Sequence, residues 1–167
     1  MSTQPALGPD FEPAHGRTLR QAREALRAEL DAGTTCPCCD RYARRYRRAL
    51  HAGMAAALVV LYRHARSGAA GGWVSTKELR RYTGGGGDYA KLALWQLAEK
   101  ARGPKGRRLG KMRATERGLA FASGSVSVRR VVIEYDGTAA GFEGPAVWIR
   151  DVLGSRFNYD ELMEGSP

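Results

Sequence analysis

The sequence predicts an α+β fold, mainly helical, with a β-hairpin near its C-terminus. Three observations carry that expectation. Apolar residues recur at helical spacing through the first two thirds, as in Leu19, Ala22, Leu26 and Leu30, and again in Met54, Leu58, Leu61 and Ala65. The period then changes, because Val126, Val128, Val131, Val132, Ile133 and Tyr135 are β-branched or aromatic. Asp136-Gly137 follows them, and this dipeptide favours tight two-residue hairpin turns.

The elements are expected in the following order. Residues 1–16 carry Pro5, Pro9 and Pro13 without periodicity and read as a flexible tail. Thr18 opens an amphipathic helix that ends near Gly33. A cysteine-rich loop precedes a long helix over 40–66, capped by Asp40, with a basic first half and an apolar second half. Gly68, Gly71 and Gly72 end it. Ser75 caps a brief helix over 76–82, with Glu78 placed to complete a capping box. Gly84 to Gly87 form a turn, and Asp88 caps a helix running to about residue 101. A basic loop over 102–108, a strand over 109–114 and a helix over 116–122 capped by Thr115 come next. The partner strand of the hairpin is expected near 146–149. The chain closes on Leu153, Phe157, Tyr159, Leu162 and Met163. The corresponding divisions are 1–16, 17–72, 73–124 and 125–167. A chain of 167 residues is long enough to bury a core without disulfides or a metal.

The stretch 73–122 resembles the winged helix-turn-helix of bacterial and phage regulators. The residues that carry the likeness are Val74-Ser75-Thr76-Lys77-Glu78-Leu79, Tyr89-Ala90-Lys91-Leu92-Ala93-Leu94-Trp95-Gln96-Leu97, and Arg113-Ala114-Thr115-Glu116-Arg117-Gly118-Leu119-Ala120-Phe121. The last run is similar to the LTxxG close of many winged-helix repressors, with Ala114 in place of the usual Leu. Residues 36–163 also resemble short uncharacterised proteins of actinobacterial phages. The resemblance implies a mainly helical winged helix-turn-helix, with an N-terminal helical extension and the C-terminal hairpin. It implies double-stranded DNA as the partner. Ser75, Thr76 and Lys77 would then meet DNA at the first helix of the motif. Lys91 and Gln96 would read base edges from a recognition helix over 88–101, and Lys105, Arg107, Arg108 and Lys111 would form a basic wing. Leu92 and Trp95 lie on that recognition helix. They either stay exposed or bury against the hairpin, which would make the helix structural.

Charge points the same way. Lys and Arg number 27 against 17 Asp and Glu, a formal net of +10. Such an excess favours a polyanion, because each phosphate neutralised releases counterions. A chain rich in Arg, Ala and Gly also raises its arginine content by composition alone. On the expected long helix, Arg41, Arg44, Arg45 and Arg48 share one face and are candidate phosphate contacts. The alternative is a solvated face paired with acids such as Asp31 or Asp40.

Cys36, Cys38 and Cys39 are candidate metal ligands but make an incomplete zinc set. Zinc asks for four tetrahedral ligands, and no second C-x-x-C exists. His51 and His64 would stand about 20 Å apart on one helix, and His15 is in the tail. No cofactor is therefore expected. Three clustered cysteines suit a reducing compartment. No apolar run approaches the ~20 residues that cross a bilayer, and no leader is evident, so a cytoplasmic protein is expected. Gly84 to Gly87 lack the Lys-Ser/Thr ending of a phosphate loop, and no catalytic motif is present, so no enzymatic role is expected. The function expected is DNA binding, as in a phage-type transcriptional regulator. The alternative is a protein-interaction adaptor that docks through Leu92, Trp95, Phe157, Tyr159, Leu162 and Met163.

Overall fold

A computed structural model describes Gly16 and residues 18–165. The expected tail, apart from Gly16, and His15 lie outside the described residues. The chain is α+β and divides between Tyr46 and Arg47 into two compact units.

In the first unit, α1 (Leu19–Glu29) begins where Thr18 predicts. Gln21 N donates to the Thr18 hydroxyl, and Thr18 N donates back to Gln21 Oε1 at 2.9 Å, a reciprocal cap. Ala22 and Leu30 are buried, while Leu19 is 69% exposed. The unit closes on a small hairpin in which β1 (Thr34–Thr35) pairs antiparallel with β2 (Tyr42–Ala43).

That hairpin overturns the first half of the helix expected over 40–66. Residues 36–41 form its loop, held by Cys36 N donating to Arg41 O at 2.8 Å and Asp40 N to Cys36 O at 3.0 Å. Asp40 sits in the turn with φ 54 and caps nothing. β3 (Tyr46–Ala49) is also extended. A helix would have stacked Arg41 with Arg45 and Arg44 with Arg48, each an i,i+4 repulsion. A strand turns successive side chains to opposite faces instead. Arg45 pairs with Asp31 at 3.1 Å, Arg47 with Glu143, and Arg48 with Glu134 at 2.7 Å.

The core of the second unit is α2 (Ala52–Ser67). Every residue from Gly53 to Tyr62 is buried, so the helix is covered on all faces. Helices α4 (Glu116–Ala122), α5 (Ile149–Leu153) and α6 (Tyr159–Glu164) and a 3-10 helix at Asp88–Trp95 pack on it.

Two three-stranded sheets complete the unit. In one, β4 (Val74–Ser75), β5 (Ala98–Arg102) and β6 (Arg108–Ala114) lie in the order β4-β6-β5. In the other, β3, β7 (Val128–Tyr135) and β8 (Thr138–Val147) lie in the order β3-β7-β8. The β4–β6, β5–β6 and β7–β8 pairs are antiparallel. Asp136 at φ 49 and Gly137 at φ 72 are the two left-handed residues of the β7–β8 turn. Because that turn spans only two residues, β8 starts at Thr138, well before the 146–149 expected for it.

Ser75 caps α3 (Thr76–Leu79) by accepting from Lys77 N at 3.3 Å. Glu78 does not close the capping box, because its carboxylate accepts from His64 Nε2 at 3.2 Å. The helix expected over 88–101 is also corrected. The 3-10 helix stops at Gln96, which is left-handed at φ 58, and the chain continues as β5. Tyr89, Leu92, Leu94 and Trp95 are all buried, so the segment packs into the core and does not lie on the surface as a longer helix. The end is locked from α4. Thr115 N donates to Leu97 O at 3.1 Å, and a Cβ on Gly118 would stand 1.8 Å from that same oxygen. Only glycine allows this approach.

Among the described residues, no helix is long and apolar enough to cross a membrane.

Candidate nucleic-acid interface

The basic residues converge on the β5–β6 hairpin. From Lys100 to Arg113 the chain carries Lys100, Arg102, Lys105, Arg107, Arg108, Lys111 and Arg113, with no Asp or Glu among them. Arg113 is neutralised by Glu99 and lies over the Trp73 ring at 4.6 Å. The others have no salt-bridge partner among the described residues. Arg102 stands directly opposite Arg108 across the hairpin. Like charges in that position destabilise a sheet. Arg102 donates to Gly106 O at 3.2 Å, which ties its guanidinium to the loop that carries Lys105 and Arg107. All four cations of the hairpin end are exposed.

Pairing of β4 with β6 adds the start of α3 to this surface. Ser75 is the cross-strand partner of Lys111, and Thr76 and Lys77 follow it into α3. Ser75 and Lys77 are exposed, and Thr76 is half-buried. The fold therefore brings together Ser75, Thr76, Lys77, Lys105, Arg107, Arg108 and Lys111 from the sequence-derived set.

The other candidates stand apart. Lys91 Nζ is held by Asp88 Oδ1 at 2.7 Å. Gln96 lies at the closed base of the hairpin, its carbonyl accepting from Thr115 Oγ1 at 2.6 Å. Arg48 belongs to β3 and its pair with Glu134. Arg41, Arg44 and Arg45 belong to the first unit. The segment expected to be a recognition helix thus turns its large apolar side chains inward. Leu92 and Trp95 are fully buried, with Trp95 Nε1 donating to Arg129 O at 2.8 Å.

Sequence reasoning missed Lys100, which it placed on a helix, and did not single out Arg102 within the basic loop over 102–108. The signal was present in Arg102-Gly103-Pro104-Lys105-Gly106-Arg107-Arg108, a turn-forming run flanked by arginines.

Cys36, Cys38 and Cys39 sit together in the β1–β2 loop as free thiols. Contacts with the Cys38 backbone and the Cys39 thiol lower the Cys36 pKa, whereas desolvation raises that of Cys38. Among the described residues, no group of three or more His, Cys, Asp and Glu side chains is arranged to hold a metal.

No family model, no curated protein and no solved structure matches this chain.

Proposed function

We propose that the protein binds duplex DNA through its phosphate backbone, with the β5–β6 hairpin as the principal contact. One observation carries this reading. The hairpin holds Arg102 opposite Arg108, flanked by Lys105, Arg107 and Lys111, with no acid between Lys100 and Arg113. An isolated sheet gains nothing from that arrangement. A polyanion would offset the repulsion and release counterions as it docked.

The order of elements supports a winged-helix reading of this part. Helix α2, strand β4, helix α3, the 3-10 helix and the β5–β6 hairpin follow one another, with the strands ordered β4-β6-β5. In such a module the hairpin is the wing. Here the wing carries the charge, and the second helix of the motif is structural. Phosphate contacts position a protein without reading sequence, so the reading stops at the backbone.

The adaptor alternative required an apolar docking surface. Leu92, Trp95 and Leu162 are buried, and Phe157, Tyr159 and Met163 pack against the core.

A mobility-shift titration of a duplex with 5′-hydroxyl ends, run across salt concentrations, tests the proposal. Binding should weaken steeply with salt, and the double variant Arg102→Gln/Arg108→Gln should lower the log–log slope by about 2. Absence of binding at low salt, or an unchanged slope in the variant, would refute it.

A further inference from the structure

A cavity of about 170 Å³ opens beside this surface, walled by α3, the 3-10 helix and the β5–β6 hairpin. Lys100, Arg108 and Lys111 line it together with Thr76 and Tyr89, and Met112 forms a buried part of its wall. No carboxylate lines it. The ion pairs of this unit engage other cations: Arg47, Arg48, Lys91, Arg113 and Arg150. Glu134 is the acid that acts on Lys100, but Arg48 holds that carboxylate at 2.7 Å. Burial, and then the charges of Arg108 and Arg102, push the Lys100 pKa down. Lys100, Arg108 and Lys111 are exposed, so the cavity is rimmed by cations and has no carboxylate among its lining residues.

Size and charge narrow the ligand. The volume equals that of five or six waters at about 30 Å³ each. It falls below the ~300 Å³ at which drug-sized pockets begin, a size that suits a phosphate group whose substituent stays outside. Three cations match a phosphomonoester, which carries about −1.5 to −2 at neutral pH, better than a singly charged diester. A monoester also needs one exit for its substituent, where a diester needs two.

We infer that this cavity binds a phosphomonoester, seated among Lys100, Arg108 and Lys111 with the Thr76 and Tyr89 hydroxyls as donors. Two sources share that chemistry, the 5′-phosphate end of a nucleic acid and a free small phosphomonoester. Only the first rests on the proposed DNA binding.

The test has two arms on the full chain. One compares a duplex bearing 5′-phosphate ends with the same duplex bearing 5′-hydroxyl ends. The other titrates adenosine 5′-monophosphate and inorganic phosphate by calorimetry. The phosphorylated duplex should bind about tenfold more tightly, as one or two added charge-assisted hydrogen bonds require. Lys100→Gln should bring that ratio close to one, and Thr76→Val should reduce it. Thermal unfolding of both variants checks that they fold, and the Thr76 variant serves if the Lys100 variant does not.

If adenosine monophosphate binds and Lys100→Gln abolishes that binding while no duplex binds, the cavity inference holds with a free ligand and the DNA reading falls. If both duplexes bind equally and neither small phosphate binds, the inference is overturned and the DNA reading stands. A preference that survives in both variants overturns it as well.

Discussion

Asp88 shows how single side chains set limits on the site. Its carboxylate accepts from Lys91 Nζ at 2.7 Å and His51 Nε2 at 3.4 Å. The Lys91 hydrogen bond, above all, holds its pKa below the ordinary aspartate value. A depressed carboxylate stabilises the fold above its unfolded pKa and loses that effect as pH falls through the folded one. Asp88→Asn should therefore cost roughly 0.5–1 kcal/mol at pH 7. The difference should close as pH drops below about 4, as urea denaturation at several pH values would show; a gap that persists at pH 2 would count against this account. Trp95 carries a larger share of stability. Its ring is fully buried and its Nε1 satisfies Arg129 O. Trp95→Phe leaves that carbonyl without its donor and should cost about 1–3 kcal/mol in the same measurement.

At the scale of elements, stability and binding should part company at the β5–β6 hairpin. Arg102 faces Arg108, so Arg108→Gln should leave stability unchanged or raise it by about 0.2–1 kcal/mol. The same variant should weaken duplex binding. Loss of both stability and affinity would mean the arginine is a packing residue. The join between this hairpin and α4 behaves oppositely, because Gly118 lies against Leu97 O. Gly118→Ala should destabilise by about 1–3 kcal/mol through overpacking, read by thermal unfolding.

Elements whose ends are set by local chemistry were legible in the sequence. Thr18, Ser75 and Thr115 each cap the helix expected of them, and Asp136-Gly137 makes its turn. Elements whose fate depends on distant partners were not. The arginine run became short strands and the loops between them, with Arg45, Arg48 and Arg47 paired to Asp31, Glu134 and Glu143. The presumed recognition helix ended early because α4 holds Leu97.

At the scale of the molecule, net charge and core have separate roles. The formal charge of +10 sets long-range attraction and its sensitivity to salt, and says nothing about fold. If four or five hairpin cations neutralise phosphates, the slope of log K against log salt should be about −4. A slope near zero would show that the charge is not engaged. The core is centred on α2, whose residues from Gly53 to Tyr62 are buried. Its amides should be the slowest to exchange in native-state hydrogen exchange, because they open only with the whole unit. Faster exchange there than in β7 would contradict this.

By itself the sequence determined the α+β class, the helix caps at Thr18, Ser75 and Thr115, the hairpin turn and the basic loop over 102–108. These follow from periodicity and short-range hydrogen bonding, which a linear reading captures. Only the tertiary structure decided where the charge lies. It placed Arg102 against Arg108, drew Lys91 into a pair with Asp88, and set the exposed Lys100 at the mouth of a cavity with Thr76 and Tyr89. Each of these depends on chain segments meeting in space, and charge neutralisation and burial are properties of that meeting.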